Sequence, residues 1–179
     1  MLSFDPAQPR PTASPSPRNS AVTADSIRWA DPGDGQHGFS LINDCKYGCD
    51  AKDNVLRLTL LRSPDWPDPQ ADRGPRHFAY SLYPHSGTWR EAQTVLRGYE
   101  FNYPLRAEQV QPHSGTMPPL HSFFGVQPGN IVLTAIKKSE DGNDLILRFH
   151  EWAGKKSQAG ITLPAGATRA VTANLMEVP

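Results

Sequence analysis

Residues 41–50 read LINDCKYGCD and carry both cysteines of the chain, Cys45 and Cys49. Two thiols with three residues between them could clip a metal, close a disulfide or cycle as a redox pair. A closed structural zinc site needs four ligands. No second cysteine pair exists, and the histidines, at 37, 77, 85, 113, 121 and 150, are scattered singly. A redox dithiol of the common kind has two residues between its cysteines and opens a helix after a strand. The residues therefore favour two small, semi-buried side chains beside a glycine turn at Gly48.

Other chemistry-bearing residues fare no better. Ser86 and Ser114 each follow a histidine, but no G-x-S-x-G elbow occurs, and adjacency in sequence does not build a triad. No phosphate-cradling glycine loop is present. The acidic stretch DWPDPQADRG (65–74) offers carboxylates for calcium, yet its prolines and lack of an EF-hand ligand rhythm point to a solvated loop. His150-Glu151 lacks a second histidine, and as strand neighbours the two side chains face opposite sides. Trp66, Trp89 and Trp152 are candidate platforms for stacking on sugars, although tryptophan is more often a packing residue. The residues predict no self-contained active site.

Bulk composition agrees. Eighteen basic and eighteen acidic residues cancel, so no global field favours nucleic acid or an anionic membrane. No apolar run approaches the roughly 20 residues that span a bilayer. The first 20 residues hold no continuous apolar core of a secretory signal, and two cysteines do not make a disulfide scaffold, so a cytoplasmic setting is expected. Residues 1–26 contain five prolines and only Leu2, Phe4 and Val22 as sizeable apolar side chains. They read as a disordered proline-rich tail, with Pro6 and Pro9 in PxxP spacing.

The elements that must hold any site are expected in residues 27–179, read as one domain. FSLIN (39–43) points Phe39 and Leu41 inward. NVLRLTLLR sets Leu56, Leu58 and Leu60 against Val55, Arg57, Thr59 and Leu61, a strand nearly buried on both sides. HFAYSLYP alternates Phe78, Tyr80 and Leu82 against His77, Ala79, Ser81 and Tyr83. TWREAQTVLRGY changes period: Trp89, Ala92, Leu96 and Tyr99 recur at helical spacing, with Thr88 as N-cap and Glu91 completing a capping box. Strands resume at HSFFGV, NIVLTAIKK, DLILRFHEWA, AGITLP and RAVTANLMEV, with a hairpin through IKKSEDGNDLIL. About eight strands with one short helix predict a mostly β fold, an antiparallel β-sandwich.

Read together, SLINDCKYGCDAKDNVLRLTLLRSPDWPDPQADRGPRHFAYSLYPHSGTWREA is far more specific than its parts. It resembles the C-terminal β-domain of glycoside hydrolase family 38 α-mannosidases, in the branch that includes cytosolic and bacterial enzymes. The motifs NDCKYG, NVLRLTLLRSP, PDPQAD, LYPHSGTWREA and KKSEDGNDLILR occur here in the family's order, with RWAD at 28–31 and NLME at 174–177. The resemblance spans about residues 27–178.

That resemblance implies a part of a galactose-mutarotase-like super-sandwich. It implies membership of retaining exo-α-mannosidases, whose N-terminal domain supplies a zinc ion, an aspartate nucleophile and a carboxylic acid. A retaining carboxyl pair sits about 5–5.5 Å apart. The family's metal is held by two histidines and two aspartates that begin with His-x-Asp. No His-x-Asp occurs here, so no cofactor is expected in this chain, and the zinc belongs to the missing catalytic domain. The expected partner is that catalytic half, or a mannoside-containing glycan if the chain is a stand-alone binding module. The relatives' β-domain continues past NLME to a further apolar strand, so this domain is expected to be incomplete at its C-terminal end. The NDCKYG turn lies near the catalytic interface in such enzymes, which makes Asn43, Asp44, Lys46 and Tyr47 candidate cleft-facing residues. Cys49 stands where relatives usually carry an aromatic residue.

Overall fold

The computed structural model describes residues 28–52 and 55–179, together with the backbone of two earlier strands, Leu2–Phe4 (β1) and Ala21–Asp25 (β2). The expected tail at 1–26 otherwise lies outside the described residues, as does the PxxP pair. The chain divides into two compact units, residues 10–109 and residues 110–179 with 1–9.

The first unit is built on a four-stranded antiparallel sheet ordered β2-β3-β4-β7. Here β3 is Trp29–Gly33, β4 is His37–Asn43 and β7 is Tyr80–Ser86. Asp34 closes the β3–β4 turn by accepting the N–H groups of Gln36 (2.8 Å) and His37 (2.7 Å) on its carboxylate. Gly35, at φ 89°, takes the left-handed position that the bend requires. Register places Trp29 opposite Ile42, Gly38 opposite His85 and Ser40 opposite Tyr83, so these residues share one face. That face is covered by the helix α1, Thr94–Asn102, and by the turn before it.

The helical segment expected at 88–99 is split in two. The capping box does form: Glu91 Oε2 accepts the Thr88 N–H at 2.8 Å, and Thr88 Oγ1 accepts the Glu91 N–H at 3.4 Å. It starts only a single turn. Gln93 swings to φ 56°, the Thr94 N–H reaches back to Trp89 O (3.0 Å), and the Gln93 N–H reaches Arg90 O (3.1 Å). That is a Schellman closure with glutamine in the left-handed place. The α-helix proper restarts after it at Thr94, with no side-chain cap.

Strand expectations hold unevenly. FSLIN lies in β4, where Ser40, Leu41, Ile42 and Asn43 are all buried, so both of its faces are covered. The run at 54–62 is not a doubly buried strand. Its strand part, β6 (Val55–Leu58), pairs among the described residues only with β5 (Cys49–Lys52), and Val55, Arg57, Thr59 and Leu61 are exposed. The Leu56–Leu58–Leu60 face is half covered and the opposite face is open to solvent. In β7 the more apolar set is the open one. Tyr80 and Leu82 are exposed, while Ser81, Tyr83 and His85 turn toward the helix-covered face.

The second unit holds the expected hairpin, β9 (Ile131–Lys138) with β10 (Leu145–Glu151), closed by the Ser139 N–H on Asp144 O at 2.9 Å. A three-stranded antiparallel sheet runs β1-β11-β8, with β8 at Gly125–Gln127 and β11 at Ser157–Thr162. Ile131 at the start of β9, Trp152 and Ala153 after β10, and Ala159 in β11 are the buried apolar residues described in this unit. The strand expected at 169–178 is absent. Asn174 captures the N–H groups of Met176 and Val178 on its own side chain, which draws those donors into a turn and away from a ladder. Among the described residues the fold is mostly β and antiparallel, with one short helix.

Candidate functional site

The most concentrated polar cluster has no signature in the sequence. Asp31 from β3, Ser40 from β4, His85 from β7 and Thr94 from α1 converge on the covered face of the first sheet. Asp31 Oδ2 accepts the Ser40 hydroxyl at 2.5 Å and lies 2.7 Å from His85 Nε2. Ser40 Oγ is 2.8 Å from Thr94 Oγ1. The side chains of His85 and Asp31 are 4% and 3% exposed, and Ser40 is fully buried.

Serine, histidine and aspartate together invite a hydrolytic reading, which the geometry rejects. Nucleophilic catalysis needs the imidazole between serine and carboxylate, so that one ring nitrogen takes the serine proton. Here the carboxylate is the hub, serine and histidine share one of its oxygens, and no substrate can reach a hydroxyl without exposure. Buried polar groups in low dielectric are costly unless partnered. These partner one another, and they fasten three strands and the helix. Gly38 makes room for the lock, because a Cβ there would collide with Cε1 of the His85 ring. Sequence reading misses the cluster because 54 residues separate Asp31 from His85 and Ser40 from Thr94. Its only local trace is the alternation that puts Ser40 and Tyr83 on one face.

The Asn43–Gly48 turn leaves the same sheet. Asn43 is buried and structural: its Oδ1 accepts the Lys46 N–H at 2.8 Å, and its carbonyl accepts Asn102 Nδ2 at 3.1 Å. Asn102 also donates to Gly98 O at 2.9 Å, tying the helix end to the turn. Lys46 is half-buried, with Nζ 5.2 Å from the centre of the Phe78 ring. Asp44 and Tyr47 are exposed. Of the four candidates, Asp44 and Tyr47 are thus exposed, Lys46 is half-buried, and Asn43 shapes the bend.

Both cysteines are free thiols, Cys45 exposed and Cys49 half-buried. The Asp44 carboxylate beside Cys45 pushes that thiol upward, and burial followed by Asp50 does the same to Cys49. The same thiol contact holds Asp44 below the usual carboxylate range. Since the thiolate is the nucleophile and metal ligand, both shifts run against reactivity.

The three tryptophans separate cleanly. Trp89 is buried and packs on Trp29 at 5.1 Å between ring centres, and Trp152 is buried with Nε1 donating to Gly129 O at 3.1 Å. Trp66 is 85% exposed. The loop carrying it is well braced: Asp72 Oδ2 accepts the N–H groups of Ser63 (2.7 Å) and Arg62 (3.3 Å), and Arg76 donates to Ala71 O. Two of the three aspartates that suggested calcium hold backbone donors, Asp72 as above and Asp68 the Gln70 N–H at 2.8 Å. Among the described residues no group of three histidine, cysteine, aspartate or glutamate side chains is arranged to hold a metal ion. His150 is exposed and Glu151 half-buried, on opposite sides of β10 as expected. Glu151 instead accepts Ala153 N–H (2.7 Å), Gly154 N–H (2.7 Å) and Lys155 N–H (3.1 Å). Among the described residues no helix is long and apolar enough to cross a membrane.

Comparison with known proteins agrees with this picture of a braced β scaffold. Residues 6–70 match the Glycosyl hydrolases family 38 C-terminal domain, and residues 130–179 match the Glycosyl hydrolases family 38 C-terminal beta sandwich domain. The chain is 34% identical over 156 residues to Alpha-mannosidase 2C1 of Homo sapiens, covering 85% of this chain and 15% of that protein. It is 36% identical over 129 residues to Alpha-mannosidase G of Dictyostelium discoideum, covering 71% of this chain and 12% of that one. The fold is similar to a solved glycosyl hydrolase family 38 protein from Enterococcus faecalis, with a TM-score of 0.69 at 22% identity, over 86% of this chain and 19% of that one. An alpha-mannosidase from Enterococcus faecalis V583 matches at 0.68 and 24%, over 92% and 19%. The chain therefore spans about a seventh of the length of these curated relatives.

Proposed function

Because the chain belongs to the C-terminal domains of glycosyl hydrolase family 38, we propose that it serves as the non-catalytic β-domain of an α-mannosidase, completing the enzyme only beside a catalytic part. The single observation that carries this is the state of its polar side chains. Asp31, His85 and Ser40 are locked inward on one another, and Glu151, Asp68 and Asp72 hold backbone donors. Hydrolysis with retention takes a carboxylic acid and a carboxylate about 5–5.5 Å apart across a sugar. The zinc and both acids are assigned to the other part. The reaction of the assembled enzyme is exo-hydrolysis of terminal α-mannosides in oligosaccharide breakdown, in the cytoplasmic setting of the branch that the motifs resemble. Asp44 and Tyr47, exposed on a turn shaped by Asn43 and Lys46, are the residues proposed to face the cleft.

A chimera tests this. Human Alpha-mannosidase 2C1, with its matched C-terminal stretch replaced by this chain, is expected to fold and hydrolyse an aryl α-mannoside; an inactive, misfolded product would count against the reading. Exposed Trp66 on its braced loop favours a second reading, a carbohydrate-binding module. That reading requires saturable mannoside binding by the chain alone, weakened in Trp66→Ala; flat calorimetric titrations would remove it.

A further inference from the structure

Three kinds of bond hold the Asn43–Gly48 turn. Neighbouring backbone holds its ends: the Asn43 N–H donates to Arg28 O at 2.9 Å, the Asp44 N–H to Ala79 O at 3.2 Å, and the Thr59 N–H to Gly48 O at 2.8 Å. Its own residues fold it, through Asn43 Oδ1 and the Lys46 N–H. The third hold comes from the last residue of α1. Asn102 Nδ2 donates to Asn43 O at 3.1 Å and to Gly98 O at 2.9 Å. Two carbonyls can be met only by the amide nitrogen, so the orientation of the side chain is fixed and both of its donors are spent.

Asparagine is a weak helix former, and a serine at the same place could make the bond back to Gly98 O. What the longer amide adds is the bond out of the helix. The helix end that carries it is pinned. The Tyr103 N–H closes it on Tyr99 O at 2.8 Å, and the Tyr99 ring stacks on Tyr103 with 6.1 Å between centres. The Arg28 guanidinium lies 4.7 Å from the centre of the Tyr99 ring. Gly98 sits so close to the sheet that a Cβ there would stand 3.3 Å from Trp29 Cδ1. Asn102 therefore passes the position of a fixed helix end to the residue immediately before Asp44.

We infer that Asn102 is a positioning residue for the mannosidase reaction: from α1 it sets where the turn presents Asp44 and Tyr47 to the sugar. This rests on the proposed function. The Asp44 carboxylate and the Tyr47 ring are exposed on the turn, and Asp44 directly follows the tethered carbonyl. With the zinc and both acids assigned to the other part, these two side chains serve to bind the sugar, not to break its bond. The tether therefore acts on substrate affinity.

The test places Asn102→Ser in the chimera with the human relative and in the free chain. In the chimera, KM for an aryl α-mannoside should rise roughly tenfold at nearly constant kcat, the pattern of lost substrate binding. In the free chain, amide protection across α1 should stay as it was, because the serine hydroxyl keeps a bond to Gly98 O. In a chimera already carrying Asp44→Ala and Tyr47→Ala, adding Asn102→Ser should raise KM no further, since the groups it positions are gone. A KM equal to the parent's overturns the inference and leaves the proposed function intact. An equal further rise in the Asp44→Ala, Tyr47→Ala background, or lost protection across α1, shows a tether that only supports the fold and also overturns the inference. An inactive parent chimera overturns both.

Discussion

The two compact units spend their polar residues in opposite ways. In residues 10–109 the strongest polar contacts lie inside, where Asp31, Ser40, His85 and Thr94 join three strands to a helix. In residues 110–179 they lie at turns. Glu151 gathers three backbone donors, Asn174 closes the last turn, and Glu177 clamps that turn to the β9–β10 hairpin. An interior lock fixes how layers stack, whereas turn locks fix what the surface presents. Neither kind of lock leaves its own acids, imidazole or hydroxyls free to act on a bond, and that shared property is what a supporting domain requires.

The contrast predicts graded consequences. Asp31→Ala should be the most damaging change, leaving His85 and Ser40 buried without their hub. The buried Ser40 hydroxyl and His85 ring nitrogen each lose their acceptor, at about 1–3 kcal/mol for each group left unsatisfied, read as a shift of the urea midpoint at constant slope. A loss under about 1 kcal/mol would mean the interior lock is not the fastening that distinguishes this unit. Gly38→Ala should come next, since the new methyl must push His85 aside. About 1–3 kcal/mol is expected for such overpacking, together with a changed His85 ring signal by NMR, and an unmoved signal would contradict the close approach. Thr88→Ala removes the capping-box hydroxyl at the cost of about 1 kcal/mol. Since that box starts only a single turn, amide exchange should quicken at 89–93 and stay unchanged within α1.

The clamp in the second unit should also respond to acid. Lys137 and the Glu140 N–H hold Glu177 below the ordinary glutamate range. A carboxyl lowered in the folded state contributes stability above its unfolded value and loses it as pH falls through the folded one. The protection of the Glu140 amide, its exchange rate taken relative to the intrinsic rate at each pH, should therefore fall once the pH drops below the usual glutamate range, an effect erased in Glu177→Gln. An equal fall in the variant would show that the clamp is not the cause. The smallest effect belongs to Trp66→Ala, within about 0.5 kcal/mol in thermal unfolding because the ring is exposed.

Local pattern is readable where chemistry is local. The Asp-Gly-Asn hairpin, the Thr88–Glu91 box and the shared motifs through NDCKYG and LYPHSGTWREA all depend on residues close in sequence. The Asp31–His85 lock is not legible, because strand pairing across 54 residues creates it and no spacing rule encodes that distance. The facing of β7 is ambiguous in the sequence for a related reason: hydrophobicity favours Tyr80 and Leu82, while the buried imidazole carries Ser81 and Tyr83 to the covered side. The last segment has the composition of a strand, but the side chain of Asn174 competes for its backbone donors. Gln93 hides the helix break, since glutamine is an unusual occupant of a position where glycine is the ordinary signal.

The most direct test is turnover. Purified chain, with and without added zinc, is mixed with an aryl α-mannoside and followed for release of the aryl group. No release above the uncatalysed rate is predicted in either case. Steady hydrolysis that a chelator abolishes would show a working metal centre within these 179 residues and contradict the assignment of a supporting role.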